Sequence, residues 1–313
     1  LFFTQKGRCY WQKCYEIPEG DRNSKGRAIQ NMLNIEPDDQ INAVLRIKKF
    51  DDPEFLKSHF VVFATKHGLV KKTSLEAYRH QRANGVKAIN INEGDEVVSV
   101  RLTNGNNELI LANRNGRAVR FHEDEVRSMG RVSTGVIGMR LDGGDDEVVG
   151  MICVNDLDNE TVMVVSENGY GKRSLIVEKN GDEVHDVYRK TARGAKGVKT
   201  LNITEKTGRL VAIKVVTDEN DLMIINKSGV LIRLNVSEVR VTGRATQGVR
   251  LINLTKKNDT IASVCKVMTA SDEDDSLQDE QQQTQEAGEA PLVDFADDSD
   301  APADAVNTDD NNE

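Results

Sequence analysis

The sequence predicts an all-β protein of five four-stranded repeats, followed by a disordered acidic segment. Two observations predict this fold. A strand–turn–strand pattern ending in glycine recurs five times along residues 1–270, and the composition changes abruptly over residues 271–313. Internal repeats decide the fold class of a chain, so they are considered first.

Each repeat opens with a predicted β-hairpin. An apolar strand runs into a polar turn that ends in glycine, and a second strand follows. The five turn glycines are Gly7, Gly68, Gly116, Gly169 and Gly229. Such turns need a residue with positive φ, which glycine adopts at little cost, so each copy is typical of a hairpin.

Each repeat continues to a second glycine and two further strands. The second glycines are Gly26, Gly85, Gly135, Gly197 and Gly248, which follow the first by 19, 17, 19, 28 and 19 residues. An alternating strand follows each, and the predicted fourth strands are 41–47, 96–102, 147–154, 210–216 and 260–267. The resulting repeats span about 1–59, 60–107, 108–160, 161–220 and 221–270. Four-stranded units at this spacing are typical of propeller-like folds.

Several classes of protein are excluded by composition. The longest apolar run, 60–64, is far shorter than the roughly 18 residues that span a bilayer, so no membrane partner is expected. No basic region followed by an apolar stretch opens the chain, and four cysteines are too few for a disulfide framework. We therefore expect a cytoplasmic protein. The chain begins at Leu1, already within a predicted strand, which indicates a fragment of a longer protein.

The charge is divided between a basic body and an acidic tail. The whole chain has 42 Lys and Arg against 51 Asp and Glu, but residues 271–313 hold 16 of the acidic residues and none of the basic ones. Residues 1–270 therefore carry 42 basic and 35 acidic residues, a net charge of about +7. A basic body permits a polyanionic partner. The tail has too little apolar surface to offset its ordering entropy, so we expect it to be disordered.

Basic residues recur at equivalent positions of the repeats. Arginine stands four residues before the second glycine in four repeats and one position later in the remaining one: Arg22, Arg82, Arg131, Arg193 and Arg244. Four residues after the first glycine stand Lys72, Arg120, Arg173 and Arg233, and further charge comes from Lys25, Lys71, Lys172 and Lys196. Equivalent residues of a repeat protein form a belt, and a basic belt is what phosphate contact requires. We predict that these thirteen residues form a nucleic-acid surface; the alternative is an ordinary solvated surface.

Other motifs are weaker. Residues 169–173 (GYGKR) resemble a phosphate loop, but they lack the P-loop spacing and precede a strand rather than a helix, which favours a repeat turn. Cysteine and histidine residues lack zinc-ligand spacing, and no catalytic triad or carboxylate pair is evident. We therefore predict no catalytic residue, metal or cofactor in this chain.

The repeats resemble the C-terminal domain of the A subunit of bacterial DNA gyrase over essentially all of 1–270. The most specific segment is 167–173 (ENGYGKR), supported by 68–73 (GLVKKT), 118–121 with 133–136, and 241–249 (VTGRATQGV). The family's heptapeptide Q-R-R-G-G-[RK]-G is absent; the nearest version is 192–197 (ARGAKG). The resemblance implies a six-bladed β-pinwheel, of which five blades are visible here.

The resemblance also implies a function. Double-stranded DNA would wrap around the basic rim without sequence preference, in support of negative supercoiling by an ATP-dependent type IIA topoisomerase. The partners implied are the remainder of the gyrase A protein and the gyrase B protein. ATP and Mg²⁺ would be used by those other regions, and the catalytic tyrosine would lie there too. We expect this chain to be monomeric, non-catalytic and located in the bacterial cytoplasm with the nucleoid.

Two alternatives remain open. The equivalent domain of topoisomerase IV shares the fold and bends DNA, and a propeller-type protein-interaction module would use apolar or aromatic hot spots. Two roles are also open for the acidic tail: it competes with DNA for the basic rim, or it serves only to keep the protein in solution.

Overall fold

The chain folds into short β-strands joined by tight turns. The computed structural model describes residues 1–20, 24–181, 183–254 and 259–268. The predicted tail, 271–313, lies outside the described residues, and so does Arg22. The described residues belong to one compact unit, Leu1–Met268.

The strands follow the five repeats in order. The first repeat contains β1 (Phe2–Thr4), β2 (Arg8–Tyr10) and β3 (Ile41–Val44), and the second contains β4 (Phe60–Thr65), β5 (Leu69–Ser74), β6 (Val86–Lys87) and β7 (Val97–Thr103). The third contains β8 (Glu108–Asn113), β9 (Arg117–His122), β10 (Val136–Ile137) and β11 (Val148–Val154). The fourth contains β12 (Thr161–Ser166), β13 (Tyr170–Leu175), β14 (Val177–Asn180), β15 (Glu183–Asp186), β16 (Val198–Lys199) and β17 (Leu210–Val216). The fifth contains β18 (Asn220–Asn226), β19 (Leu231–Asn235), β20 (Val249–Arg250) and β21 (Ile261–Met268).

Helical structure is limited to short segments. The α-helix α1 spans Pro53–Ser58, and 3₁₀ turns form at Cys14–Glu16, Ile29–Asn31, Leu75–Tyr78, Glu123–Glu125 and Val236–Glu238. The sequence prediction missed α1. Its signal is local, because the Asp52 carboxylate accepts hydrogen bonds from the backbone N–H of Glu54 (2.9 Å) and Phe55 (3.3 Å) while Pro53 occupies the first turn.

The blades exchange strands. The sheet orders are β3-β1-β2-β6, β10-β5-β4-β7, β11-β8-β9-β16 and β17-β12-β13-β20, and the fifth sheet has the order β19-β18-β21 within the described residues. In the second to fifth repeats, the third strand therefore pairs with the hairpin of the preceding repeat, so repeats and blades are offset by one strand. In the first repeat, a 3₁₀ turn at Ile29–Asn31 stands where the sequence predicted this strand. The all-β fold of five blades predicted from the sequence is confirmed, and this exchange gives the arrangement its pinwheel topology.

The blades pack face to face. Val61 and Phe63 of β4 join the core cluster that contains Phe3 of the first blade, while Val62 and Ala64 of the same strand join the cluster shared with the third blade. Successive side chains of a strand point to opposite faces, so a strand covered on both faces is apolar throughout. The core is thus a series of clusters between neighbouring blades.

Backbone hydrogen bonds link each blade to the next. The residue two positions before each first glycine offers its carbonyl oxygen to the inner strand of the following blade. The four bonds are Val97 N to Gln5 O (3.0 Å), Val148 N to Lys66 O (2.9 Å), Leu210 N to Arg114 O (3.0 Å) and Ile261 N to Glu167 O (2.9 Å). The inner strands β3, β7, β11, β17 and β21 are consequently neighbours around a central channel.

The second glycines allow the exchanged strand to approach its host blade. Gly197 has a φ of +75°, and a Cβ placed there would lie 2.3 Å from the Ala118 carbonyl oxygen. Gly26 has a similar φ of +69°, yet a Cβ there would meet nothing within 4 Å. The two glycines therefore share a backbone conformation, but only at Gly197 would a side chain clash with a neighbouring strand.

This difference predicts the cost of alanine substitutions. Gly26→Ala should lower the free energy of unfolding by about 1 kcal/mol, because it introduces only the strain of positive φ. Gly197→Ala should cost at least about 3 kcal/mol, because strain is joined by a clash with backbone that cannot turn aside. Urea denaturation of both variants measures the difference, and equal costs would contradict a role for Gly197 in strand exchange.

Candidate nucleic-acid interface

The arginine loops lie where the chain passes from one blade to its neighbour. Each loop leads directly into an exchanged strand, which forms the edge of its sheet opposite the inner strand. The loop arginines within the described residues are Arg82, Arg131, Arg193 and Arg244. The topology therefore places these residues on the outer side of the blades, one at each successive exchange.

Two of the loops have the same local structure. In the Arg131 loop, the backbone N–H of Ser133 (3.2 Å) and its hydroxyl (2.8 Å) donate to the Gly130 carbonyl oxygen. In the Arg244 loop, Thr246 makes the same two bonds to the Gly243 carbonyl oxygen, at 3.2 and 2.9 Å. A hydroxyl residue two positions after the arginine thus closes a turn that presents the arginine.

Backbone carbonyl groups orient two of the guanidinium groups. Arg193 donates from Nε to Glu125 O (3.0 Å) and from Nη1 to Ile137 O (3.2 Å). Arg244 donates from Nη1 to Lys199 O (2.8 Å). These neutral acceptors fix part of each side chain, while the Glu125 carboxylate accepts from the backbone N–H of Arg193 at 2.8 Å rather than from its guanidinium group.

The predicted contacts differ in whether a carboxylate pairs with them. Within the described residues, no side-chain ion pair forms at Arg82, Arg131, Arg193 or Arg244. Lys25 is exposed on its loop, while Lys196 is exposed and lies 2.9 Å from Asp142. The four arginines, like Lys25, therefore carry charge that no carboxylate of the described residues pairs with.

Five of the predicted DNA contacts are buried, which contradicts their assignment as phosphate ligands. The exposed fractions are 0% for Lys71, 5% for Lys72, 4% for Arg120, 0% for Lys172 and 7% for Arg173. The equivalent Arg233 is exposed but donates from Nε to Asp221 Oδ2 at 2.7 Å. Both faces of the second hairpin strand are covered by neighbouring blades, so a recurrent cation there is enclosed rather than presented.

The buried residues four positions after the first glycine anchor the arginine loops. Their carbonyl oxygens accept backbone hydrogen bonds from the segments that enter those loops: Met129 N to Lys72 O (2.8 Å), Thr191 N to Arg120 O (2.9 Å) and Thr242 N to Arg173 O (2.9 Å). Their side chains pair with acids: Lys72 with Glu123 (3.1 Å), Arg120 with Asp186 (2.8 Å), and Arg173 with Asp218. These bases hold the arginine loops in place from within the protein.

Two buried lysines hold the loops from beneath. Lys71 Nζ donates to Ala88 O (2.6 Å) and to the carbonyl oxygen of Arg131 itself. Lys172 Nζ donates to Gly243 O (2.6 Å), next to Arg244. Burial, followed by the charge of Arg131, lowers the pKa of Lys71 to about 7, and burial with Arg244 lowers the pKa of Lys172 to about 7. Each lysine therefore supports a loop at an electrostatic cost.

Sequence reasoning left a second row of cations out of the predicted site. On the exchanged strands, Lys87 lies opposite Arg8 and Lys199 lies opposite Arg117. Like charges in direct cross-strand register are destabilising unless an anion compensates them. Arg117 lies 3.7 Å from Asp142, whereas Lys87 and Lys199 form no ion pair within the described residues. The sequence contains a signal for this row, because Lys87 and Lys199 stand at equivalent positions, each two residues after a second glycine.

Residues 169–173, which resemble a phosphate loop in sequence, have a structural role. Gly169 is the turn glycine with φ of +79°, and Gly171 lies in β13, where a Cβ would meet Leu251 Cδ1 at 2.4 Å. The segment is a hairpin with an exchanged strand packed against it, as the repeat predicts. Within the parts of the chain that the structure describes, no group of three or more metal-ligating side chains comes together.

The chain matches a known family over most of its length. The family model described as DNA gyrase C-terminal domain, beta-propeller, matches residues 1–48, 59–104, 107–155, 160–217 and 220–265, one segment for each repeat. This chain therefore belongs to the DNA gyrase C-terminal domain family. In the described helices, no segment is long and apolar enough to span a membrane.

Relatives and solved structures agree with this family. The DNA gyrase A protein of Staphylococcus aureus (strain MRSA252) is 40% identical over 308 residues, covering 98% of this chain and 33% of the relative. The DNA gyrase A protein of Chlamydia muridarum is 41% identical over 269 residues, covering 85% and 30%. The chain thus spans about a third of the length of these relatives.

Two solved structures share the fold. The crystal structure of the C-terminal domain of DNA topoisomerase IV superposes with a TM-score of 0.73 at 28% identity, covering 85% of this chain and 78% of that one. A DNA gyrase A C-terminal domain superposes with a TM-score of 0.69 at 24% identity, covering 85% and 81%.

The buried lysines predict a dependence of stability on pH. Because their folded-state pKa values lie below the ordinary value of 10.5, the unfolded chain binds more protons between about pH 7 and 10, and stability rises with pH there. In this range, the free energy of unfolding of the wild-type protein should rise with pH by up to about 1.4 kcal/mol per pH unit more than that of Lys71→Met or Lys172→Met.

Denaturant titrations at pH 7.0 to 9.0 measure this gain. Lys57→Met is the matched control, because the Lys57 side chain is 59% exposed on α1 and should leave the pH dependence unchanged. Parallel profiles for all four proteins would contradict the burial of an uncompensated amine at Lys71 and Lys172.

Proposed function

We propose that this chain binds double-stranded DNA along its outer rim and bends it into a wrap, without reading the base sequence. The observation that carries the proposal is the set of four loop arginines, three of them at equivalent positions, that form no ion pair within the described residues. Arginine at spaced positions on a rigid scaffold suits phosphate oxygens, whereas base recognition requires side chains that enter a groove.

The arrangement of blades supports bending rather than straight binding. Equivalent loops succeed one another around the axis marked by the inner strands, so a duplex in contact with several loops must follow a curve. Smoothly bending 20–30 base pairs by 40–90° costs roughly 1–6 kcal/mol, which several phosphate contacts together can offset. The cross-strand cations Lys87 and Lys199 would add contacts along the same edge.

The family extends this proposal to a larger enzyme. The wrap would present DNA for negative supercoiling by DNA gyrase, an ATP-dependent type IIA topoisomerase, with the remainder of the gyrase A protein and the gyrase B protein as partners in the bacterial cytoplasm. This chain would be the non-catalytic, monomeric part, and ATP and Mg²⁺ would act in the other regions. The support for this step is the match to the gyrase A protein over nearly the whole chain.

Duplex binding at several salt concentrations tests the proposal. If roughly 6–10 phosphates are neutralised, affinity should fall about 10³ to 10⁵-fold between 50 and 200 mM salt. Filter binding with two duplexes of equal length and unrelated sequence should give the same Kd. A salt-insensitive affinity, or a strong preference for one sequence, would contradict it.

Individual loop arginines should each contribute one phosphate contact. Arg131→Gln, Arg193→Gln and Arg244→Gln should each weaken binding equally for all sequences and reduce the salt slope by about one, and the triple variant should reduce it by about three. Lys57→Gln, which removes an exposed charge from α1, is the control and should leave the slope unchanged. A triple variant with the wild-type slope would remove the loops from the interface.

The acidic tail should oppose DNA binding. Its 16 carboxylates exceed the net charge of about +7 on residues 1–270, so it can compete with phosphates for the rim. Deleting residues 271–313 should tighten DNA binding, most strongly at low salt where charge screening is weak. An unchanged Kd at 50 mM salt would indicate that the tail serves only solubility.

The topoisomerase IV domain supports a second candidate function. Its crystal structure superposes with a TM-score of 0.73, so a role in bending DNA without a chiral wrap is compatible with the same fold. A protein-interaction module is less well supported, because the rim positions that recur through the repeats are basic rather than apolar. Plain duplex DNA binding separates this last class from the other two.

A further inference from the structure

The two ends of the central channel differ in chemistry. At one end, the turn residues Lys66 and Arg114 are neutralised. Lys66 lies 3.2 Å from both Glu96 and Glu147, and Arg114 lies 3.6 Å from Glu147. Lys66 and Arg114 are thus matched by carboxylates from the same or the neighbouring blade.

The other end holds cations without carboxylates. A cavity of about 440 Å³ is lined by residues from all five inner strands, including Arg101 of β7 and Lys214 of β17. No aspartate or glutamate is among its lining residues, as far as the described chain shows. Arg101 donates from Nη1 to the neighbouring Val100 O at 2.9 Å, which satisfies one donor and leaves the charge uncompensated.

Arg101 and Lys214 occupy the same place in their blades. Arg101 pairs across the sheet with Val62, and Lys214 pairs with Met163; both partners stand six residues before a first glycine. The residues equivalent to them in the third and fifth blades are Ile152 and Cys265. The fold itself therefore does not require a cation at this position of the inner strand. Only the second and fourth of these four blades have one, Arg101 and Lys214.

This concentration of positive charge is costly when the cavity is empty. Burial, then the charge of Arg101, lowers the pKa of Lys214, while nearby Cys265 acts in the opposite direction and Lys266 adds to the repulsion. Half-buried cations of like sign are disfavoured unless an anion joins them. An oxyanion would satisfy both groups at once, because guanidinium binds two of its oxygens and ammonium binds a third.

We propose that this cavity binds a small phosphate-class oxyanion between Arg101 and Lys214. The volume accommodates a phosphate group with its remaining water or a small ester substituent. A bound phosphate would join the inner strands of the second and fourth blades across the channel and stabilise the ring. This site lies at the axis, on the opposite edge of the sheets from the arginine loops, so it is independent of DNA binding on the rim.

Thermal unfolding of the full 313-residue chain without DNA tests the site. At matched ionic strength, about 20 mM sodium phosphate should raise the Tm of the wild-type protein by about 3–6 °C over sodium chloride, if that is roughly twenty times the Kd. Arg101→Gln and Lys214→Met should each lose this phosphate-specific shift. In chloride, both variants should be at least as stable as the wild type, because each removes a repulsive charge. Lys57→Met should keep the full shift.

Two phosphate sources separate the possible ligands. Inorganic phosphate and adenosine monophosphate both raising the Tm would show that the phosphate group alone is recognised, and a shift with the monophosphate only would show that a phosphate ester is the ligand. Isothermal titration of the wild type and both variants gives the stoichiometry, expected to be one. No shift with either compound, or equal shifts in wild type and both variants, would overturn the proposal.

Discussion

The structure depends on the hairpin turn that ends in the first glycine of each repeat. In the second blade, the carbonyl oxygen of Lys66 accepts from Val148 of the next inner strand at 2.9 Å. The carbonyl oxygen of Gly68 accepts from Gly138 (2.9 Å) and Met139 (3.1 Å) of the exchanged segment. Gly68 has a φ of +85°, so the turn needs glycine to direct both carbonyl groups at the following repeat. One turn thus fixes the inner and the outer end of the next unit.

This linkage explains how a basic rim is built from strands that are individually short. The exchanged strands have two residues each, too few to hold their own position, and buried bases supply the missing contacts. Lys72, Arg120 and Arg173 accept backbone hydrogen bonds from the loop segments, and Lys71 and Lys172 donate to the loops. Basic residues therefore act in two ways. One set is buried and hydrogen-bonded within the protein, and the other set is the loop arginines, which are half-buried or, at Arg82, exposed and form no ion pair within the described residues.

The repeated pattern of the sequence was sufficient to predict the all-β blades and the positions of the arginine loops. It was insufficient to separate buried bases from exposed ones, because equivalent positions in a repeat share an environment without revealing whether that environment is solvent. Arg120 and Arg131 recur equally well in sequence, yet the first is 4% exposed and paired with Asp186, while the second has no ion pair within the described residues. The strand exchange could not be predicted from the sequence either, because strands of two residues show almost no periodicity of apolar residues.

The sequence contains partial signals for the extra hairpin in the fourth repeat and for the start of α1. The offset of 28 residues between Gly169 and Gly197 marks the extra hairpin of β14 and β15, which pair from Val177 to Asp186. The helix α1 was missed because six residues carry little periodicity, although Asp52 and Pro53 form a recognisable start signal. The axial cations Arg101 and Lys214 resemble ordinary strand residues in the sequence; only the meeting of inner strands shows that they share a cavity.

We propose that the successive strand exchanges arrange the arginine loops as a curved DNA-binding rim. The most direct measurement is the linking number of nicked plasmid closed by ligase while the chain is bound, with binding confirmed in the same tube. A chiral wrap around this rim should shift the linking number in the positive direction. The shift should grow with the ratio of protein to DNA and disappear in the Arg131→Gln, Arg193→Gln, Arg244→Gln triple variant. An unchanged topoisomer distribution at saturating protein would contradict a chiral wrap and leave only bending.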